Sequence, residues 1–284
     1  MGHGSWRLLA GAGSVAAIGA TILATAPVAG ASTAHVQLRT GVTGTTRLTS
    51  TEQPGSKYKP TRKTLTLGSH GPAVRALQKR LTFLHYYAGK ADGRFGWSTM
   101  EAVWAFKEVQ SGKAIPPNPD NATPFMQRQM LHPKKPKVLV KGAHWTRIEV
   151  NKDDGVLVVY HNRKIVLISH ISSAAECRND GCGWNTPDGT YRAWDYLPGA
   201  VPDSSFGGFM YNPVFFIGRT FAIHGMPDPT STFSNDGVPL NAASHGCVRI
   251  PMDISVFLHK LIHVSATKGT LIYIKGGSQP DGGI

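Results

Sequence analysis

Cysteine is scarce in this chain, with three in 284 residues, which rules out a small fold stapled by many disulfides. Acidic side chains are few as well: 17 against 30 Lys and Arg, a formal charge of +13. A field of that sign favours polyanionic surroundings. Long apolar runs are missing after the N-terminal region, so no later stretch is expected to cross a membrane. Neither CxxC nor HExxH spacing occurs, and His245 with Cys247 alone would be an incomplete zinc site.

What is present begins with Arg7, an uncharged Ala/Gly/Leu/Ile stretch from Leu8 to Ala26, and the small-x-small pattern Ala29-Gly30-Ala31. Together these read as a secretory signal over 1–31. The alternative, an uncleaved anchor, is weakened by the many glycines and alanines. No cysteine follows the apolar stretch, so no lipid anchor is expected. In a secreted chain the positive charge points to anionic wall polymers rather than nucleic acid, although "KYKPTRK" and "HPKKPK" also suit solvated linkers.

In an oxidising compartment three cysteines read as a pair plus a remainder. Cys177 and Cys182, in "CRNDGC", are near neighbours in a turn and can close a small disulfide. Cys247 is then left over. An unpaired thiol there is a liability unless its reactivity is used, so "NAASHGCVRIP" is the candidate for chemistry.

Residues 32–62 are rich in Thr, Ser, Gly and Pro and read as a flexible tether. From 63 to 132 helical spacing takes over. Val74, Leu77, Leu81 and Leu84 follow Pro72; Ser98 with Glu101 reads as a capping box; Thr123 before Pro124 starts a third helix. Prolines in the linker 133–136 precede a β-rich segment over 137–275, with a tail at 276–284. "VLVVYHNRKIVLIS" is a hairpin, while "TPDGTYRA", "PVFFIGRTFAIHG" and "GTLIYIK" add strands. One helix follows, with Asp253 as cap and Ile254, Phe257, Leu258, Leu261 and Ile262 as its apolar face. The fold class is therefore α+β and multidomain, a small three-helix bundle followed by a β-dominated domain.

The helical segment resembles the three-helix peptidoglycan-binding module, with Gly71-Pro72, Val74 and Leu77-Gln78 followed by the turn Asp92-Gly93-x-Phe95-Gly96. That resemblance implies binding to wall glycopeptide; the alternative is a spacer whose aromatics are all core.

If residues 244–250 run extended, His245 and Cys247 share a face. An imidazole near a thiol lowers its pKa and would supply a thiolate near neutral pH. The amides of Gly246 and Cys247 are candidate oxyanion donors. A second histidine, His224, ends an apolar strand. "IHG" at Ile223–Gly225, "SHGCVRI" at Ser244–Ile250 and "TPDGTYRA" upstream resemble the L,D-transpeptidase catalytic domain.

Carried onto these positions, the resemblance implies Cys247 as nucleophile, His224 as general base, His245 as stabiliser of the intermediate and the Gly225 carbonyl as the group orienting the base. Arg249 is expected to bind a carboxylate or fix the loop, and Ser244 to give hydrogen-bonding support. Met210 and Tyr211 line a donor pocket or belong to the core. No metal or organic cofactor is implied, and the partners are peptidoglycan stem peptides and glycan. The reading is a secreted, wall-associated L,D-transpeptidase. Alternatives are an L,D-carboxypeptidase, which differs only in that water resolves the thioester, or a non-catalytic wall-binding protein.

Overall fold

A computed structural model describes residues 57–178, 181–203, 207–226 and 238–280, with the side chains of 177–182 not among them. The expected signal, most of the tether and the end of the tail lie outside the described residues. Among those that are described, no helix is long and apolar enough to cross a membrane.

The helical segment holds β1 (Leu65–Thr66), α1 (Pro72–Phe83), α2 (Trp97–Ser111), β2 (Asn121–Ala122) and α3 (Pro124–Gln129). Its glycine turn is built by one glutamine. Buried Gln78 donates to Asp92 Oδ1 (3.1 Å) and Arg94 O (2.9 Å) and accepts from the Gly93 amide (2.9 Å). Gly93 has φ +83°, and a Cβ there would stand 3.0 Å from the Gly71 carbonyl, so the turn needs glycine. Thr123 caps α3, its Oγ1 accepting from Met126 N at 3.1 Å.

The expected capping box at Ser98 does not form. α2 starts at Trp97 with Gly96 as its N-cap, so Ser98 lies inside the first turn, and its hydroxyl donates to Asp253 Oδ2 at 2.5 Å. Asp253 correspondingly caps nothing: α4 (Met252–Leu261) has Pro251 as N-cap and Asp253 in its first turn.

The β-rich segment contains β3 (Arg147–Asn151), β4 (Val156–His161), β5 (Lys164–His170), β6 (Cys177–Arg178), β7 (Gly181–Cys182), β8 (Gly189–Arg192), β9 (Asp195–Tyr196), β10 (Ala200–Pro202), β11 (Phe209–Ile217), β12 (Phe221–Met226), β13 (Val248–Pro251) and β14 (Leu271–Lys275). One mixed sheet runs β5-β4-β3-β14-β8, with β3 and β14 parallel. A second runs β10-β11-β12-β13, with β12 and β13 parallel and β9 on β11. The β4–β5 turn has Asn162 at φ +56°, a conformation asparagine tolerates better than most side chains.

β4 shows why "VLVVY" is an unbroken apolar run. Val156, Val158 and Tyr160 join the helices' core with Val74, Leu77, Val103, Trp104 and Phe106. Leu157 and Val159 face the other way, into a core with Val214, Ile223, Val248 and Ile250 from the second sheet and Ile254 and Leu258 from α4. Alternate residues bury on opposite faces, so both faces must be apolar. The helices thus cover one face of the first sheet and share its core.

Candidate active site

The parallel pairing of β12 with β13 sets the site. Ile223 lies opposite Val248, His224 opposite Arg249 and Gly225 opposite Ile250. Ile223, Val248 and Ile250 point into the inter-sheet core. The alternate residues take the other face, where Cys247 clusters with Ala222, Phe215 and Met210. His224 and Arg249 fall on that same face by register.

Two glycines let the chain run this close. A Cβ on Gly225 would lie 2.2 Å from Ser255 Oγ on α4. One on Gly246 would lie 1.8 Å from the Phe221 ring, and Gly246 also sits at φ +155°. Side-chain contacts that short cannot exist, so either position demands the bare backbone.

Buried Cys247 is a free thiol. Its Sγ accepts from the Ala222 amide at 3.4 Å and donates to Thr220 O at 3.6 Å. Burial pushes the thiol up to about 11; the Ala222 hydrogen bond pulls the other way, Asp203 adds to the rise and Arg249 offsets it. Buried His224 holds Nδ1 at 3.1 Å from Gly225 O. A carbonyl only accepts, so Nδ1 carries the proton and Nε2 keeps its lone pair. Burial first, then the Arg249 charge, pushes His224 down to about 4, against the Gly225 hydrogen bond and Asp203. The resting pair at neutral pH is therefore thiol and neutral imidazole. A preformed thiolate was the expectation; desolvation outweighs the neighbouring charges here.

Residues 146–274 match the family model of the L,D-transpeptidase catalytic domain, and 70–113 match one described as "Putative peptidoglycan binding domain". The chain carries an L,D-transpeptidase catalytic domain preceded by a peptidoglycan-binding domain. An L,D-transpeptidase from Xylanimonas cellulosilytica superimposes with a TM-score of 0.63 at 27% identity, covering 76% of this chain and 100% of that one. An L,D-transpeptidase from Stackebrandtia nassauensis gives 0.41 at 17% identity over 78% and 98%. One from Mycobacterium smegmatis gives 0.35 at 17% over 48% and 60%. No curated protein matches the chain in sequence.

The remaining predicted residues of the transpeptidase domain fall into distinct places. Ser244 is buried and donates to Cys247 O at 2.6 Å while accepting from Gly246 N at 3.1 Å. The Gly246 amide, a candidate oxyanion donor, is thus engaged by Ser244 in this resting form. His245 lies just before β13 and meets the Trp184 ring edge-on, centroids 4.8 Å apart. Met210 belongs to the cluster around Cys247, whereas Tyr211 pairs with Gly225 and turns by register to the face that meets α4. Cys177 and Cys182 are backbone partners across β6 and β7, and their expected bridge concerns side chains outside the described residues. Among the described residues no group of three or more His, Cys, Asp or Glu gathers as a metal site.

Three contributors had no signal in the reading of the sequence. Asp203, at the end of β10, acts on both His224 and Cys247 through its charge. Trp184 sits on His245. Residues 170–175, "HISSAA", form a strap behind the motif: Ser172 exchanges backbone hydrogen bonds with Arg249, and Ser173 O accepts from Ala243 and Ser244. Ser172 Oγ also donates to Asn241 O at 2.7 Å. Small neutral residues have no chemical signature, so only the fold reveals them.

Proposed function

We propose that the chain is a secreted, wall-associated peptidoglycan L,D-transpeptidase, with 1–31 as its signal and 63–132 as its wall-binding module. Cys247 is the nucleophile and His224 the base. The observation that supports this best is the commitment of His224 Nδ1 to the Gly225 carbonyl, on the face that also carries Cys247. That bond leaves Nε2 as the acceptor a thiol needs when its own pKa is high.

Cys247 Sγ attacks the carbonyl carbon of the third, diamino-acid residue of a tetrapeptide stem, and its proton passes to His224 Nε2. Collapse of the tetrahedral intermediate breaks the bond to D-alanine, whose nitrogen takes that proton. An amine on a neighbouring stem then attacks the thioester, gives its proton to His224 and restores the thiol. Arg249 orients a carboxylate. The Cys247 amide, joined by Gly246 once Ser244 releases it, supplies donors to the oxyanion, with His245 assisting.

The test is mass spectrometry of purified stem tetrapeptides incubated with the mature protein. A cross-linked dimer lacking one alanine is the expected product. Trimmed tripeptide alone would make it a carboxypeptidase, and unchanged stems beside an unmodified Cys247 would overturn the reading.

A further inference from the structure

A buried polar chain joins the helical module to the segment that carries the nucleophile. Glu108 on α2 and His170 at the end of β5 are both fully enclosed, with Glu108 Oε1 2.8 Å from His170 Nδ1. His170 Nε2 lies 3.0 Å from the carbonyl of Pro239. Trp104, also on α2, meets the His170 ring edge-on with centroids 5.3 Å apart. α2 therefore holds His170 by two side chains, and His170 holds the chain at Pro239.

We propose that Glu108 and His170 are positioning residues for the nucleophile, through which the helical module fixes the path of Pro239 to Ser244. The proposal rests on the reading of Cys247 as nucleophile. Downstream of Pro239 the chain is fastened at nearly every step. Leu240 packs on the helices' core, Asn241 O accepts from Ser172, Ala242 N donates to Pro280 O, and Ala243 N and Ser244 N donate to Ser173 O. Ser244 then sets the Cys247 carbonyl.

The chemistry of the pair suits a support. Pro239 O only accepts, so Nε2 bears a proton, and Nδ1 and Glu108 share one more between them. Glu108 Oε2 has no hydrogen-bond partner among the described residues. Both side chains are enclosed among the described residues, and a displacement of about 1 Å at a nucleophile can cost roughly a hundredfold in rate. The pair's value to the enzyme is geometric.

The decisive variant, in the full chain, is Glu108→Leu with His170→Phe. Replacing both partners by apolar groups of similar shape preserves packing and removes carboxyl and imidazole together, leaving only the carbonyl of half-buried Pro239 without its donor, so the fold is retained. Glu108→Gln, whose amide can still donate to Nδ1, is the rescue. Two readouts are followed beside the melting temperature: amide exchange of the peptide spanning 238–247, and acylation of Cys247 by a carbapenem, scored by adduct mass. In the double variant the melting temperature stays close to wild type. Exchange of 238–247 rises about tenfold with β3–β4 unchanged, and acylation slows about tenfold. Glu108→Gln stays close to wild type in both. Unchanged exchange in the double variant, or a Gln variant as impaired as the double, overturns the proposal. If wild-type Cys247 takes no adduct, the functional reading fails while the exchange arm still decides this one. Wild-type protein gives a check that needs no variant: the Nε2 proton of His170 and the Ala242–Ser244 amides exchange with a common opening rate, and unrelated rates overturn the link.

Discussion

His170, the last residue of β5, and His224, which lies inside β12 rather than at the strand end expected for it, are both buried, and they differ in one nitrogen. His170 has both ring nitrogens committed, to Glu108 and to Pro239 O. For His224 the hydrogen bond among the described residues is at Nδ1 alone, to the next residue's carbonyl. An imidazole whose Nε2 must donate to a carbonyl has no lone pair to offer there; one with an oriented ring and an open lone pair can accept a proton. Burial alone does not mark a histidine as catalytic, since it is shared by the two.

The largest effect that separates them is on acylation. His224→Ala removes the acceptor for a thiol whose pKa is about 11, so carbapenem acylation should fall by roughly 10²- to 10⁴-fold, against the tenfold of the seam variant. Wild-type acylation should also drop as pH falls through about 4, where protonated His224 cannot accept. Alkylation of Cys247 by a small reagent should keep rising towards pH 11. Equal losses for the two histidines would erase the distinction.

Next comes the backbone that the site requires. Gly246→Ala drives a Cβ into the Phe221 ring and strains φ +155°, which should destabilise by about 1–3 kcal/mol, with partial recovery on adding Phe221→Ala. Urea unfolding of the single and double variants measures it, and a wild-type midpoint in the single variant would refute the close approach.

Stability against pH sharpens the comparison further, because the two regions slope in opposite directions. His224 has a folded pKa below its unfolded value of about 6.5, so its contribution is present above that value and lost as pH falls through about 4. Glu108, facing His170 and Asp154, is pushed up by burial. Its contribution is present below its unfolded value of about 4.5 and lost as pH rises through the raised folded one. His224→Asn should therefore gain on wild type at the acid end and Glu108→Gln at the neutral end, in melting temperatures taken across pH 4 to 8. Parallel curves for all three proteins would contradict both assignments.

Legibility in the sequence followed the range of the interaction. The Thr123 cap, the β4–β5 hairpin and the apolar face of α4 depend on neighbours within a few residues, and local pattern finds them. β3 escaped because its polar residues hide a buried strand: Arg147 Nε pairs with Glu149 Oε1 at 2.6 Å, and both are enclosed. The Cys247 and His224 positions were legible as motif, but their pKa values depend on how deeply two sheets and α4 enclose them. The strap at 170–175 and the Glu108–His170 link join residues more than 60 apart in sequence, and no periodicity encodes that.

The smallest effect tests the same seam at its other contact, where a local rule failed. Ser98 and Glu101 have capping-box spacing, yet Ser98 Oγ is spent on Asp253, 155 residues away. If the hydroxyl served α2 alone, Ser98→Ala would cost the same whether or not Asp253 is present. With the cross-contact, Ser98→Ala and Asp253→Ala should each destabilise by about 0.5–1.5 kcal/mol, and the double variant should cost less than their sum. The contact is exposed, so solvent recovers part of what is lost and the coupling should lie at the low end of that range. A double-mutant cycle in urea reads this directly. Strict additivity would return Ser98 to the helix and leave the module bound to the catalytic domain through the Glu108–His170 link, the shared apolar core and the backbone bonds from Ile168 N to His85 O and from Ala114 N to Asp153 O.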